Sequence, residues 1–247
     1  MLCGTLSPLI LAGQVNAVCI LYRILGHMSF KAPESLSEQI AQHIGDQIIA
    51  GKLKSKERIQ ELKVANDLEV SRGSVREALL ILEGRHLIDI MPRRGAMVAE
   101  MNKSNVAALY ETYIILLIVL ASKVANTWKP GQLDPLIEQL QKMRAIANST
   151  DPEAPERVVK AGFDLMRMAY PLAENPYLEG ILEDLQPAIH RAYHMALTVD
   201  NNALSYSMTF FGQLLEGVVK RDVPKVEKAL KEYGDHLLSI MMDALEH

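Results

Sequence analysis

The run Val70-Ser71-Arg72-Gly73-Ser74-Val75-Arg76-Glu77-Ala78-Leu79-Leu80 constrains the fold of this 247-residue chain more than any other stretch. Ser71 suits the cap position of a helix, and Val75, Ala78, Leu79 and Leu82 recur at helical spacing as its buried stripe. Arg72, Gly73, Ser74 and Arg76 are left on the opposite face near its start. Upstream, Leu36, Ile40, Ile44 and Ile48 mark one face of an amphipathic helix, with Ser35 as N-cap, Glu38 completing a capping box and Gly51 as the stop. A short second helix is expected over 60–68, with Leu62, Ala65 and Leu68 turned inward. The third helix is expected to end near Gly84. Leu87-Ile88-Asp89-Ile90 and Ala96-Met97-Val98 then read as two short strands around a Pro92-Arg93-Arg94-Gly95 turn.

A helix fits the major groove of duplex DNA, and in a helix-turn-helix pair the first residues of the second helix meet the base edges. Free backbone N–H groups at that end favour phosphate. Two arginines at a hairpin tip suit phosphate or minor-groove contact. A serine and an arginine opening a helix are by themselves an ordinary cap and a solvated face. The order of elements around them carries the DNA reading.

At these residues the chain resembles the winged helix-turn-helix of the GntR family of bacterial transcription regulators. The family pattern V-S-R-x-x-V-R-E-A-L, then L-x-x-x-G-L, then P-x-R-G-x-x-V, is present nearly throughout. The resemblance implies that Ser71, Arg72, Ser74 and Arg76, with Arg93, Arg94 and Gly95 of the wing, contact an operator. Lys63 on the second helix is grouped with them. Two departures stand out. Glu69 and His86 occupy turn positions where the family usually has glycine, and Glu69 brings a negative charge close to DNA.

Net charge is −4, with 49% hydrophobic and 23% charged residues, which suits a compact soluble protein and argues against a general nucleic-acid coat. Residues 28–101 carry 11 basic and 11 acidic side chains, so modest affinity for a single DNA-binding domain is expected. Residues 1–27 fit poorly with the rest of the chain. They are apolar, hold both cysteines (Cys3 and Cys19), and have one basic residue, Arg23, at the wrong end for a secretory signal. Gly13, Gln14 and Asn16 interrupt any membrane span. The reading adopted is a mis-called or disordered leader, with Met28 as the start. The domains expected are then 28–101 for DNA binding and 102–247 for a second, helical domain.

Beyond an Asn102-Lys103 hinge, long helices are expected over 105–126, 133–147, 157–170, 178–199, 203–219 and 224–245, a bundle of six or seven. The run Ile114-Ile115-Leu116-Leu117-Ile118-Val119-Leu120 makes the first of these apolar on every face, so it is buried all round or lies in a dimer seam. Ala173-Glu174-Asn175-Pro176-Tyr177-Leu178 is similar to an S-G-N-P-x-L turn, and Lys220-Arg221-Asp222-Val223 to a helix joint, of the FCD effector domain found in the same family. The fold class is therefore mainly α: three helices and a two-stranded wing, followed by an all-α bundle.

Many FCD domains hold a divalent metal through an aspartate and three histidines. Aligned on those two motifs, the ligand positions fall at Gly162, Met166, Phe211 and Tyr233, none of which is a suitable donor. A shifted register would offer Asp164 and His236. No metal and no other cofactor is expected. An interior without metal but rich in methionine suits an apolar ligand. Tyr113 stands where an acid-binding arginine is often found, and Tyr233-Gly234 resembles a pair in the fatty-acid-responsive FadR branch, although Leu237 replaces that branch's serine. The effector pocket is therefore placed at Tyr113, Leu117, Met166, Tyr170, Phe211, Tyr233 and Gly234. His190 and His194, spaced for one helix face, join it. Packed core is the plainer account of each of these residues taken singly.

No G-x-S-x-G, P-loop or G-x-G-x-x-G motif occurs, and no cysteine lies outside the leader, so an enzyme is not expected. The combined expectation is a cytoplasmic, homodimeric regulator without membrane attachment. It binds a palindromic double-stranded DNA operator and answers to a small-molecule effector, with a fatty acid or acyl-CoA as candidate. The alternatives are a metal-assisted carboxylate effector and a ligand-free dimeric adaptor.

Overall fold

The computed structural model describes residues 35–197 and 203–245. The expected leader, with its two cysteines and Met28, lies outside them. Helices α1 (Leu36–Ile49), α2 (Glu61–Asp67) and α3 (Arg72–Gly84) enclose a small core of Ile40, Ile44, Ile48, Val75, Leu79 and Leu82. Leu36 and Leu62 were expected to face inward and are instead about half exposed. Leu36 is the first residue of its helix, and the buried place beside it goes to Ser37, whose hydroxyl donates to Glu77 Oε2 at 2.5 Å. In the two-turn α2 only Ala65 is fully buried.

Strands β2 (Ile88–Met91) and β3 (Gly95–Val98) pair antiparallel, Ile88 opposite Val98 and Met91 opposite Gly95. A third strand, β1 (Arg58–Ile59), adds to the far edge of β3, so the sheet is three-stranded in the order β1-β3-β2 rather than the expected two-stranded wing. Two residues are too few to show alternation. The strand is revealed only by its partner, with Ile59 buried and Arg58 exposed. At the tip, Arg93 and Gly95 both take left-handed backbone angles, φ 66° and 79°.

The second core is built by α4 (Lys103–Thr127), α5 (Asp134–Ala147), α6 (Ala154–Ala169), a 3-10 turn (Tyr170–Ala173), α7 (Pro176–Leu197), α8 (Ala203–Val219) and α9 (Val223–Ala244). These bounds differ from the expected ones by no more than three residues. Asn102 caps α4 through Asn105 N, and Asp222 caps α9 through Lys225 N. The Arg221 guanidinium donates to the carbonyls of Ala125, Asn126 and Trp128 and lies 4.5 Å over the Trp128 ring. It thereby fastens the end of α4 to the α8–α9 joint and satisfies carbonyls that a helix end leaves free.

Helix α4 packs against α7, α8 and α9 at the centre of the bundle. As a whole it has the length and hydropathy of a membrane span, which its seven-residue apolar run alone lacks. Tyr113, Leu117, Leu120 and Val124 are buried on the core, whereas Ile115 and Val119 are 55% and 49% exposed. The helix is therefore not buried all round.

Candidate DNA-facing and effector sites

Ser71 caps α3. Its side chain accepts from Ser74 N at 3.1 Å and lies 2.9 Å from the Ser74 hydroxyl. The cap therefore uses the two hydroxyls to complete the helix start, and it leaves Arg72 and Arg76 projecting from the next turns. Both arginines are exposed, and both meet one carboxylate. Arg76 Nε donates to Glu61 Oε2 at 2.8 Å, and Arg72 Nη2 is 3.5 Å from the same oxygen. Lys63 is exposed on α2, and Arg93 and Arg94 are exposed at the wing tip. Arg58, which pattern reasoning passed over, lies close by: a Cβ added at Gly95 would sit 3.8 Å from its Nη2. A two-residue strand offered no signal for it.

Between α4, α6, α7, α8 and α9 lies a cavity of about 50 Å³. Five expected residues line it: Tyr113 and Leu117 from α4, Met166 from α6, Phe211 from α8 and Tyr233 from α9. Sequence reasoning missed Tyr110, Phe163, Tyr193, Ser207 and Phe210 in the same wall. Tyr110 was legible as the residue one turn before Tyr113, and Ser207 as the polar position one turn before Phe210 and Phe211. The hydroxyls of Tyr193, Ser207 and Tyr233 form a closed triangle with edges of 2.7, 3.2 and 3.1 Å. Phe210 stacks flat on Tyr233 with ring centres 3.8 Å apart. Burial holds the phenols of Tyr110, Tyr113, Tyr193 and Tyr233 above their ordinary pKa, so all four remain protonated at neutral pH. The buried hydroxyls of Tyr113 and Tyr170 face each other without a well-formed hydrogen bond and have no other partner among the described residues; burial pushes the Tyr170 pKa up to about 12. Among the described residues, no charged side chain lines the cavity.

The other four residues assigned to the pocket lie elsewhere. Tyr170 is buried in the 3-10 turn but does not reach the cavity wall. Gly234 is a packing glycine: a Cβ there would meet Ile114 at 2.7 Å, so its small size lets α9 approach α4. His190 and His194 do share a face, but Ile189 and Tyr193 are the residues of α7 that face the cavity. His190 instead opens on a polar cleft of about 490 Å³ between α1 and helices α6 and α7, among Asp46, Glu156, Lys160 and Asp164. Burial, then the neighbouring His194, lowers its pKa. Near that cleft Arg191 is only 6% exposed, and its Nη1 donates to the Ala99 carbonyl at 2.8 Å. Burial pulls its pKa down to about 10. The bundle is thus tied to the segment that leaves the wing.

The pattern of the bacterial regulatory proteins, gntR family, matches residues 36–98, and that of the FCD domain matches residues 108–236, more than half of the chain. This chain belongs to the GntR family and carries an FCD domain. It is a DNA-binding transcription regulator with an effector-binding domain, not an enzyme. The uncharacterized HTH-type regulator YdhC of Bacillus subtilis is 25% identical over 67% of this chain and 73% of its own length. The gluconate operon transcriptional repressor of the same organism is 27% identical over 44% and 43%. Among solved structures, McbR/YncC of E. coli superposes with a TM-score of 0.70 at 21% identity, covering 85% of this chain and 99% of that one. A GntR regulator from Rhodococcus sp. RHA1 gives 0.62 at 21%, covering 83% and 99%. These likenesses extend to the fold.

GntR membership sharpens two features. First, the four positions aligned with an FCD metal site, Gly162, Met166, Phe211 and Tyr233, all line this cavity. They do not fit a metal. They offer no carboxylate or imidazole, and a Cβ at Gly162 would lie 2.9 Å from the Phe211 ring, which fills the space. The shifted candidates do not converge there either: Asp164 lines the polar cleft and His236 packs on Tyr206 at 3.8 Å. Second, Glu69, His86 and Glu174 have φ of 54°, 56° and 49°. At these three turn positions the GntR and FCD patterns carry glycine and this chain does not, so the left-handed backbone persists although its usual residue does not.

Proposed function

We propose that this regulator works in the cytoplasm as a homodimer on a palindromic operator, through Lys63, Ser71, Arg72, Ser74, Arg76, Arg93, Arg94 and Gly95. Its effector is an apolar or acyl molecule held in the FCD cavity. Two-fold protein symmetry is mirrored in the DNA site. The exposed Ile115 and Val119 on α4 are the face offered to the second copy, because exposed apolar side chains on an otherwise core helix lose least by pairing.

The observation that carries the effector reading is the cavity wall itself, made of aromatic and aliphatic side chains with a ring of neutral hydroxyls and no charge among the described residues. A carboxylate buried there would lose its hydration without a counter-ion, at a cost of several kcal/mol. An uncharged polar head, or an acyl chain whose charged end stays in solvent, incurs no such cost. The present volume is too small for an acyl chain, so Met166 and Phe211 swing aside on binding. A ligand shifts the DNA-binding arrangement only if it favours one arrangement over the other. Arg191, which joins α7 to Ala99, is the contact through which that preference reaches the wing.

The test is solvent extraction of the purified full chain, with native and denaturing mass spectrometry. A co-purifying fatty acid, acyl thioester or neutral apolar molecule that alters DNA retention supports the reading. A bound divalent metal, or a small carboxylate that binds only with metal, overturns it. A dimer whose DNA binding no apolar compound alters points to the ligand-free adaptor.

A further inference from the structure

Two arginines of the DNA-facing helix share a single acidic partner, and that partner lies on another helix. Glu61 stands in the first turn of α2, where the helix dipole favours a carboxylate. Its Oε2 receives Arg76 Nε at 2.8 Å and lies 3.5 Å from Arg72 Nη2. The contact uses the Nε of Arg76 and leaves its two terminal amino groups without a protein partner among the described residues. Those two groups form the edge that pairs bidentately with guanine O6 and N7. Both arginines are largely solvent-exposed and Glu61 is half-buried beside them, so the ion pair itself contributes little to folding. Its effect falls on what the arginines can do.

We propose that Glu61 is a specificity-determining residue for DNA: it holds Arg72 and Arg76 in one fan and cancels one of their two charges. General electrostatics gives this two consequences. Non-specific affinity scales with the number of phosphates neutralised, so a carboxylate among the arginines weakens binding to any sequence. On the operator, the arginines already point one edge outward and lose less freedom when they meet the correct bases. Discrimination gains from both, since a repulsive element against wrong partners counts as much as an attraction to the right one. The near-neutral DNA-binding domain, with 11 basic and 11 acidic side chains over residues 28–101, is consistent with a protein that depends on placement rather than on charge.

This inference rests on the reading that the start of α3 meets DNA. The experiment uses the full-chain protein, its Glu61→Gln variant and the Arg72→Ala/Arg76→Ala double variant. The duplex is an operator selected by the wild type from a random library, and the control is a scrambled duplex of equal length and composition. Affinities for both are measured by fluorescence anisotropy over a range of salt concentrations. For Glu61→Gln the scrambled duplex is expected to bind roughly tenfold more tightly, with a salt slope steeper by about 0.9 for each subunit bound. Operator affinity gains less, so the operator-to-scrambled ratio falls several-fold. A ratio unchanged within experimental error, whether both affinities rise or both fall, overturns the role of Glu61. Operator binding retained by the double arginine variant overturns the α3 reading instead, and so separates the two failures. Unchanged thermal unfolding of Glu61→Gln shows that the ion pair is not a folding requirement.

Discussion

The start of α3, proposed to meet DNA, and the interior of the FCD bundle, proposed to hold the effector, are built by opposite means. At α3 the groups are long, charged and exposed, contributed by a few neighbouring residues, and restrained by one carboxylate. In the bundle they are neutral, buried and contributed by five helices, with three hydroxyls bonded to one another before any ligand arrives. An exposed charge is cheap to hold and is strengthened only when DNA displaces its water. A buried hydroxyl is costly to leave unpaired and cheap to leave uncharged. The DNA-facing site is therefore tolerant of folding errors and sensitive to charge, and the effector site the reverse.

The largest expected effect breaks the DNA side. Arg72→Ala or Arg76→Ala should remove a base or phosphate contact worth about 1–3 kcal/mol in each half-site, hence roughly 2–6 kcal/mol for a dimer, with operator retention lost at moderate salt. Unfolding midpoints should not move, because both side chains are exposed. Retention by both variants in electrophoretic mobility shifts would sink the assignment of α3 as the reading helix.

The converse experiment rebuilds the bundle side. Gly162→Asp, Met166→His, Phe211→His and Tyr233→His together place one carboxylate and three imidazoles at positions that line one cavity. Phe211 must change along with Gly162, since its ring occupies the space of the new side chain. Zinc or nickel at a hundred times its dissociation constant should then stabilise the protein by about 2.7 kcal/mol, read as a metal-dependent rise in unfolding temperature. No metal response in a folded variant would mean that the four side chains do not converge as aligned.

The two regions also differ in how far they could be read from residues alone. The cap of the third helix and its two arginines lie together in its first turns, so periodicity and capping placed them almost to the residue. The helices of the bundle were legible for the same local reason. Glu61 was not, because its partners are 11 and 15 residues away and no local pattern links a carboxylate on one helix to arginines on the next. In the bundle, the family alignment found Met166, Phe211 and Tyr233, but the i,i+4 spacing of His190 and His194 pointed to the wrong face of α7. Spacing shows which residues share a face. It does not show which way that face turns, and that is settled by the apolar Ile189 and Tyr193 beside them.

A smaller effect tests the link between the regions. Arg191 buries a cation whose guanidinium is matched by a backbone carbonyl rather than a carboxylate. Replacing such a group with an apolar side chain of similar volume is often neutral or stabilising. Arg191→Met should therefore change global stability by no more than about 1 kcal/mol. Amide exchange in the segment 99–102, however, should rise, and an effector's influence on DNA affinity should weaken. Strong destabilisation without faster exchange there would make Arg191 a core residue rather than a tether.

The smallest effect lies in the turns, and it treats both regions alike. Glu69, His86 and Glu174 hold left-handed angles that cost an L-residue about 1–2 kcal/mol, whereas glycine adopts them freely. Glycine also gains freedom in the unfolded chain, which takes back roughly 0.5–1 kcal/mol. Each change to glycine should thus stabilise by up to about 1 kcal/mol in urea unfolding, with Glu174→Gly acting on the bundle and the other two on the DNA-binding domain. Glu69→Gly carries a second consequence that the other two lack. It removes a negative charge from the turn that leads into Ser71, so weak binding to unrelated DNA should also tighten, in the same direction as loss of the Glu61 carboxylate but without disturbing the arginine fan. If it lowered the operator-to-scrambled ratio as much as Glu61→Gln does, net charge alone would account for specificity, and the geometry of the fan would not be needed.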